Sequence, residues 1–208
     1  MQTNRTEYIA TYLDTLHRQA QQLSPLTAGL TFDSFAIGGG TPLLLTVPQL
    51  EQLMATAALF GVHPSHAFTS VETSPEYADR PRLNVLKKAG VSRVSIGIQS
   101  FQDEELKFLG RIHTAGEAEC CFTMARRAGF ENINIDLIFG IPGSTADSWK
   151  STLWRAVALR PDHLSFYSLQ IEEGTPLYRM FRLDDIQQVS DEENRRMYHD
   201  AVQFLEQA

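Results

Sequence analysis

Phe35-Ala36-Ile37-Gly38-Gly39-Gly40-Thr41-Pro42 decides how the rest of the chain is read: a short apolar run that stops at three consecutive glycines. Apolar and β-branched residues of this kind suit a strand, and glycines at its end leave bare backbone there. Without a Cβ, backbone N–H and C=O groups can approach a ligand closely and adopt φ > 0. A glycine run alone also describes an ordinary tight turn. What gives this one weight is that four later apolar runs also end on, or carry, ligand-type polar residues: Glu72, Gln99, Asp136 and the pair Tyr167-Ser168.

Working outward from that run, strand and helix signals alternate almost from end to end. Residues 5–23 place Ile9, Leu13, Leu16, Ala20 and Leu23 at helical spacing. A strand over 34–38 follows, then a helix over 47–60 opened by Thr46-Val47-Pro48-Gln49, a capping box with proline in the first turn. Further strands are expected at 67–71, 93–99, 133–139 and 164–171, and further helices at 81–89, 103–109, 115–128, 146–159 and 190–206. Thr114-Ala115-Gly116-Glu117 and Ser190 with Glu193 read as additional capping boxes. Lys87-Lys88-Ala89-Gly90 and Arg126-Arg127-Ala128-Gly129 repeat one stop signal, two cations against the negative helix end and a glycine for the left-handed turn.

Strands that are apolar on both faces and reached through helices predict an α/β fold with a parallel sheet covered by helices. A doubly wound open sheet and a (β/α) barrel both satisfy this, and both gather their chemistry beyond the carboxyl ends of the strands. Ligand-type residues spread over five successive strand ends favour the barrel. Five strands are too few for a closed eight-stranded one, and the first helix has no strand before it.

Composition narrows the function. At 208 residues, 43% hydrophobic and 21% charged, the chain is long enough for a sizeable core. A net charge of −7 argues against a nucleic-acid surface. No apolar run approaches the ~20 residues that cross a bilayer, and Met1-Gln2-Thr3-Asn4-Arg5 leads into no apolar signal segment. The only cysteines, Cys120 and Cys121, are adjacent; on a helix they point about 100° apart, which suits neither a disulfide framework nor a chelating pair. A reducing cytoplasm is the compartment these features suggest.

Glu72 at a strand end can accept bonds from hydroxyls or an ammonium, as can an ordinary loop glutamate. Gln99 can donate and accept at once, for a ligand or as a loop cap. Arg111, in Leu109-Gly110-Arg111-Ile112-His113, can clamp a carboxylate or pair with Glu104 or Glu105. Asp136 lies within Ile133-Asn134-Ile135-Asp136-Leu137-Ile138-Phe139, where burial of an unpaired charge would be costly. That reads as a buried functional acid, followed by the turn Gly140-Ile141-Pro142-Gly143. His113 and His163 have no second ligand at chelating spacing and read as structural. No Gly-x-Ser-x-Gly elbow or Walker loop is present, which leaves acyl transfer and nucleotide hydrolysis without support.

Taken in order, Ala36 to Pro42, Val71-Glu72, Ser92 to Phe101, Leu109 to His113, Asn134 to Gly143 and Tyr167 to Pro176 resemble the radical S-adenosylmethionine proteins of the oxygen-independent coproporphyrinogen III oxidase type. Within that family, Gln99-Ser100-Phe101 and Ile171-Glu172-Glu173-Gly174-Thr175 are more similar to the haem chaperone branch than to the true oxidases. The resemblance implies a partial (β/α)₆ TIM-like barrel, incomplete at the N-terminus, over residues 1–208. It also implies an S-adenosylmethionine site. Gly38, Gly39, Gly40 and Thr41 would hold the methionyl amino end of the cofactor. Glu72, Gln99 and Arg111 would contact its ribose and amino-acid portions, and Asp136 and Ser168 would line the adenosyl side or a second ligand site.

One family feature is missing from the chain. The Cys-x₃-Cys-x₂-Cys run that holds a [4Fe–4S] cluster is absent and would lie upstream of Met1, after a first strand. The family's C-terminal domain would continue past Ala208. The expectation is therefore the core of a longer protein, able to bind the cofactor but not to cleave it. Two functions follow from the resemblance: a carrier of haem to acceptor proteins, or an enzyme that oxidatively decarboxylates a porphyrinogen. A partial barrel binding another small metabolite is the third reading.

Overall fold

The computed structural model describes residues 6–61 and 68–207. Five strands, β1 (Ser34–Ile37), β2 (Phe68–Thr73), β3 (Arg93–Gln99), β4 (Asn132–Phe139) and β5 (His163–Ser168), form one parallel sheet in sequence order β1-β2-β3-β4-β5. Among the described residues eight α-helices precede, join or follow them: α1 (Ile9–Leu23), α2 (Val47–Ala58), α3 (Arg80–Lys88), α4 (Asp103–Phe108), α5 (Ala115–Arg127), α6 (Ala146–Ala158), α7 (Pro176–Arg182) and α8 (Asp191–Leu205). The expected α/β fold with strands reached through helices is therefore present, with five strands as counted from the sequence.

Local chemistry explains most boundaries. Thr46 N–H donates to Gln49 Oε1 at 3.0 Å, which completes the predicted box at the start of α2. Thr114 N–H donates to Glu117 Oε2 at 2.7 Å, and Glu117 N–H donates back to Thr114 Oγ1 at 3.3 Å. Those bonds from Thr114 hold the Glu117 carboxyl below its ordinary range. Gly90 and Gly129 sit at φ +84° and +90°, the left-handed stops expected after α3 and α5. Beyond α5, Arg126 Nη1 donates to the carbonyls of Phe130 (3.1 Å) and Glu131 (2.8 Å), while Lys87 lies 5.3 Å from the Phe130 ring centroid.

Three expectations change. The strand predicted over 164–171 ends at Ser168, and α7 follows it. That helix is opened by Thr175, whose Oγ1 accepts from Tyr178 N–H at 3.1 Å, with Pro176 in its first turn. A Thr-Pro pair carries that signal, but only seven residues of helix follow. Burial on both faces holds through most of β3, whereas β1 alternates exposed and half-buried positions. Residue 67, the predicted start of β2, and residue 5 of the first predicted helix lie outside the described residues.

The chain folds as two compact units, one from the described residues of 2–97 with 120–134, the other from 98–119 with the described residues of 135–208. The first packs α1 on α2 and α2 on α3. Its core holds Leu13, Leu50, Leu83, Leu86, Val94 and Phe130. The second centres on Phe139, Trp149 and Phe166, with Trp149 5.6 Å from Phe139 between ring centroids and 6.2 Å from Phe166. There Trp149 Nε1 donates to the Met197 carbonyl at 3.0 Å, which ties α6 to α8.

Cys120 is exposed and Cys121 buried on α5. Burial pushes the Cys121 thiol up to about 12, with smaller contributions from Glu76 and Cys120. At pH 8 its thiolate fraction is then about 10⁻⁴. A thiol reagent is expected to modify one cysteine promptly and the second only as the protein unfolds. Prompt labelling of both would contradict this burial.

Candidate functional site

The register of β1 on β2 builds the first group of candidate residues. Ile37 pairs with Val71, so the next residues, Gly38 and Glu72, come side by side at the strand ends. Glu72 Oε2 accepts from the Gly39 N–H at 3.3 Å. A Cβ on Gly38 would lie 2.7 Å from Glu72 Oε2 and 2.8 Å from Oε1, so no larger residue fits there while the carboxylate keeps its place. Gly39 and Gly40 take φ +85° and +135°, conformations that favour glycine. Gly38, Gly39 and Thr41, with Ile9 and Tyr12 of α1, border a cavity of about 430 Å³. An exposed carboxylate oriented by a backbone N–H, beside a glycine turn, can receive an ammonium or hydroxyl group.

The other candidates belong to the second unit. Gln99 ends β3 at φ +75°, a left-handed conformation that costs a non-glycine residue about 1–3 kcal/mol and persists only where the surroundings enforce it. The residue is 6% exposed, and its buried Oε1 has no hydrogen-bond partner. Such an orphaned acceptor is uncommon in folded proteins, and it rules out the loop-capping alternative for this oxygen. Arg111 is half-buried just after Gly110, which has φ +69°. Its N–H donates to the Leu106 carbonyl at 2.9 Å. Of the acids offered as partners for it, Glu105 instead accepts from Ser100 Oγ (2.5 Å) and Ser148 Oγ (2.7 Å).

His113, predicted to be structural, is 5% exposed with Nε2 3.1 Å from the Ile98 carbonyl. Ser168 Oγ donates to Asn194 Oδ1 at 3.2 Å, and Asn194 in turn crowds Gly140. Asp136 departs from expectation. It is half-buried on β4 rather than fully buried, because β4 alternates buried and partly open positions over its second half. Partial access to solvent lowers the cost of its charge, and its candidacy rests mainly on its position in the motif.

Thus Gly38 and Gly39 meet Glu72 directly, and Ser168 stands beside Gly140. Sequence reading missed Asn194 and Ser148 and offered Glu105 only as a partner for Arg111. Asn194 lies 54 positions after Gly140 with no local signal, and Ser148 fell within the helix expected over 146–159. Among the described residues no three His, Cys, Asp or Glu side chains come together as metal ligands. With two adjacent cysteines in the whole sequence, this chain does not itself supply three thiolates to an iron–sulfur cluster.

Comparison with known proteins places the fold. Residues 10–154 match the Radical SAM superfamily. The Heme chaperone HemW of Bacillus subtilis (strain 168) is 33% identical over 197 residues, covering 94% of this chain and 52% of the relative. The protein of the same name from Escherichia coli (strain K12) is 38% identical over 139 residues, covering 67% and 37%. Among solved structures, the coproporphyrinogen III oxidase HemN of Escherichia coli superposes with a TM-score of 0.87 at 29% identity, covering 99% of this chain and 47% of that one. The chain thus spans about half the length of the relatives it matches. Among the described residues no helix is long and apolar enough to cross a membrane. The family match over more than half the chain, joined to a shared fold over nearly all of it, makes this chain a member of the Radical SAM superfamily.

Proposed function

We propose that this chain binds S-adenosylmethionine and is the core of a haem-handling protein of the chaperone type. The observation that carries the binding assignment is the contact of Glu72 with the Gly38-Gly39 backbone. It leaves a carboxylate, exposed and held at a glycine turn, suited to the α-ammonium of an amino-acid portion. The buried, unpartnered Oε1 of Gln99 suits a hydroxyl or ammonium donor. Gly40 and Thr41 extend the first group, and Arg111, Asp136 and Ser168 are assigned to cofactor binding by their positions in the motifs. Arg111 offers a planar fork for a carboxylate. S-adenosylmethionine, when bound, supplies a sulfonium whose carbon–sulfur bond is open to reductive cleavage. The chain's residues do not fit a [4Fe–4S] cluster, and their role here is binding alone.

Calorimetric titration with S-adenosylmethionine tests this. Glu72→Ala is expected to weaken binding about tenfold, the effect of losing one charge-assisted bond. The exposed side chain should change stability little. Absence of binding by the native chain, or unchanged affinity in the variant, would overturn the assignment.

The haem assignment draws on relatives named as haem chaperones at 33–38% identity. The overlay on HemN favours a second reading, oxidative decarboxylation of a porphyrinogen. Anaerobic incubation of the protein at the length of its relatives separates the two. Stable haem uptake seen in the visible spectrum supports the carrier, whereas conversion of coproporphyrinogen propionates to vinyl groups supports the enzyme.

A further inference from the structure

Gln99 holds an unfavourable backbone conformation in a buried place, so something must hold it there. Two sets of contacts flank it, both within the second unit. On the C-terminal side, the Ser100 hydroxyl donates to Glu105, Gln102 N–H donates to Ser100 Oγ at 3.0 Å, and Phe101 N–H donates to Thr152 Oγ1 at 3.3 Å. On the N-terminal side, the residue immediately before Gln99 is gripped by a side chain from the loop between α4 and α5: His113 Nε2 lies 3.1 Å from the Ile98 carbonyl. A carbonyl only accepts, so the ring carries its proton on Nε2.

That loop is itself fixed at both ends. Arg111 N–H donates to Leu106 O, and Ala115 N–H donates to Asp103 Oδ1 at 2.8 Å. His113 stands two residues from Arg111, and its bond ends one residue from Gln99. One buried bond thereby joins the backbone supporting both side chains.

We propose that His113 is a positioning residue, whose ring bond to the Ile98 carbonyl holds the left-handed turn at Gln99 and the Arg111 loop in fixed register. Its buried ring is turned to the Ile98 carbonyl, and it acts through the two groups it holds. The order it imposes exists without ligand, and only its consequence for affinity rests on the S-adenosylmethionine reading.

Three substitutions separate this role from packing. Gln places its amide nitrogen near the position of Nε2 and keeps the donor. Asn places it near Nδ1 and cannot reach the carbonyl. Phe keeps the ring volume with no donor at all. Amide hydrogen exchange in the ligand-free protein is the first readout. Exchange over residues 98–102 and 109–114 is expected to rise about tenfold in His113→Phe and His113→Asn and to stay near native in His113→Gln. S-adenosylmethionine affinity is the second, with losses of about tenfold in the Phe and Asn variants and recovery in the Gln variant.

Native exchange in both His113→Asn and His113→Phe would overturn the proposal, and so would equal loosening in all three variants. If His113→Phe does not fold, the Gln and Asn pair decides alone. A native chain that fails to bind S-adenosylmethionine, with the exchange pattern as expected, would sink the ligand assignment and leave the positioning role standing. Binding by the native chain with undiminished affinity in the Asn variant would overturn the functional half of the proposal.

Discussion

Trp149→Ala is expected to lower the unfolding free energy by about 3–5 kcal/mol, the range seen when a large buried aromatic is cut to a methyl group. Trp149 is 4% exposed and packs against both Phe139 and Phe166, so little could collapse into the space it leaves. It also donates its indole N–H to the Met197 carbonyl, which would be left without that partner. Trp149→Phe should cost less, about 1–3 kcal/mol, since ring contacts persist while the donor disappears. Denaturant titration checks both: the midpoints should fall in that order with the slope unchanged. A loss below about 1 kcal/mol in the alanine variant would show that the cluster contributes little to stability.

Gly140→Ala is expected to be nearly as damaging, by about 2–4 kcal/mol, through two separable effects. The φ of +69° is strained for any residue with a Cβ. The added carbon would also overlap the Asn194 carboxamide oxygen and lie 3.5 Å from Ser168 Oγ. Asn194 would have to move, which breaks the bond from Ser168 and the 3.2 Å contact that defines it. Asn194→Ala alone should cost about 1 kcal/mol for that lost bond. In the double variant the overlap is gone and only the backbone strain remains, so the two costs should add to less than their sum. Full additivity in thermal or denaturant unfolding would show that Asn194 does not restrain Gly140.

The sequence carried the elements well because their signals are local. Thr46 with Gln49 and Thr114 with Glu117 form the bonds expected from their spacing. Gly90 and Gly129 stop their helices in the left-handed conformation that the repeated cation–glycine pattern called for. The neighbourhood of Gly38 and Glu72 was legible in part. The residue types pointed to it, but only the β1–β2 register brought them into contact.

Side-chain depth was harder to read. Asp136 sits in an apolar run, yet β4 leaves its position half open, and alternation within a strand is set by what covers each face. The left-handed backbone at Gln99 was invisible because nothing in a glutamine announces it; the enforcing contacts come from Ser100, Glu105 and His113. Asn194 could not be found at all, since its relation to Gly140 exists only after α8 has docked.

The two units are interleaved along the polypeptide: the first needs residues 120–134, and the second begins at 98 and resumes at 135. During synthesis, the first unit therefore cannot close until the opening segment of the second has already left the ribosome. The second must in turn wait for Asn194 and Met197, which follow β5 in the chain. A nascent chain halted near residue 110 would carry β1 and β2 without residues 120–134, which belong to the same unit. Its exposed apolar surface would make it a client for cellular folding helpers until those residues emerge.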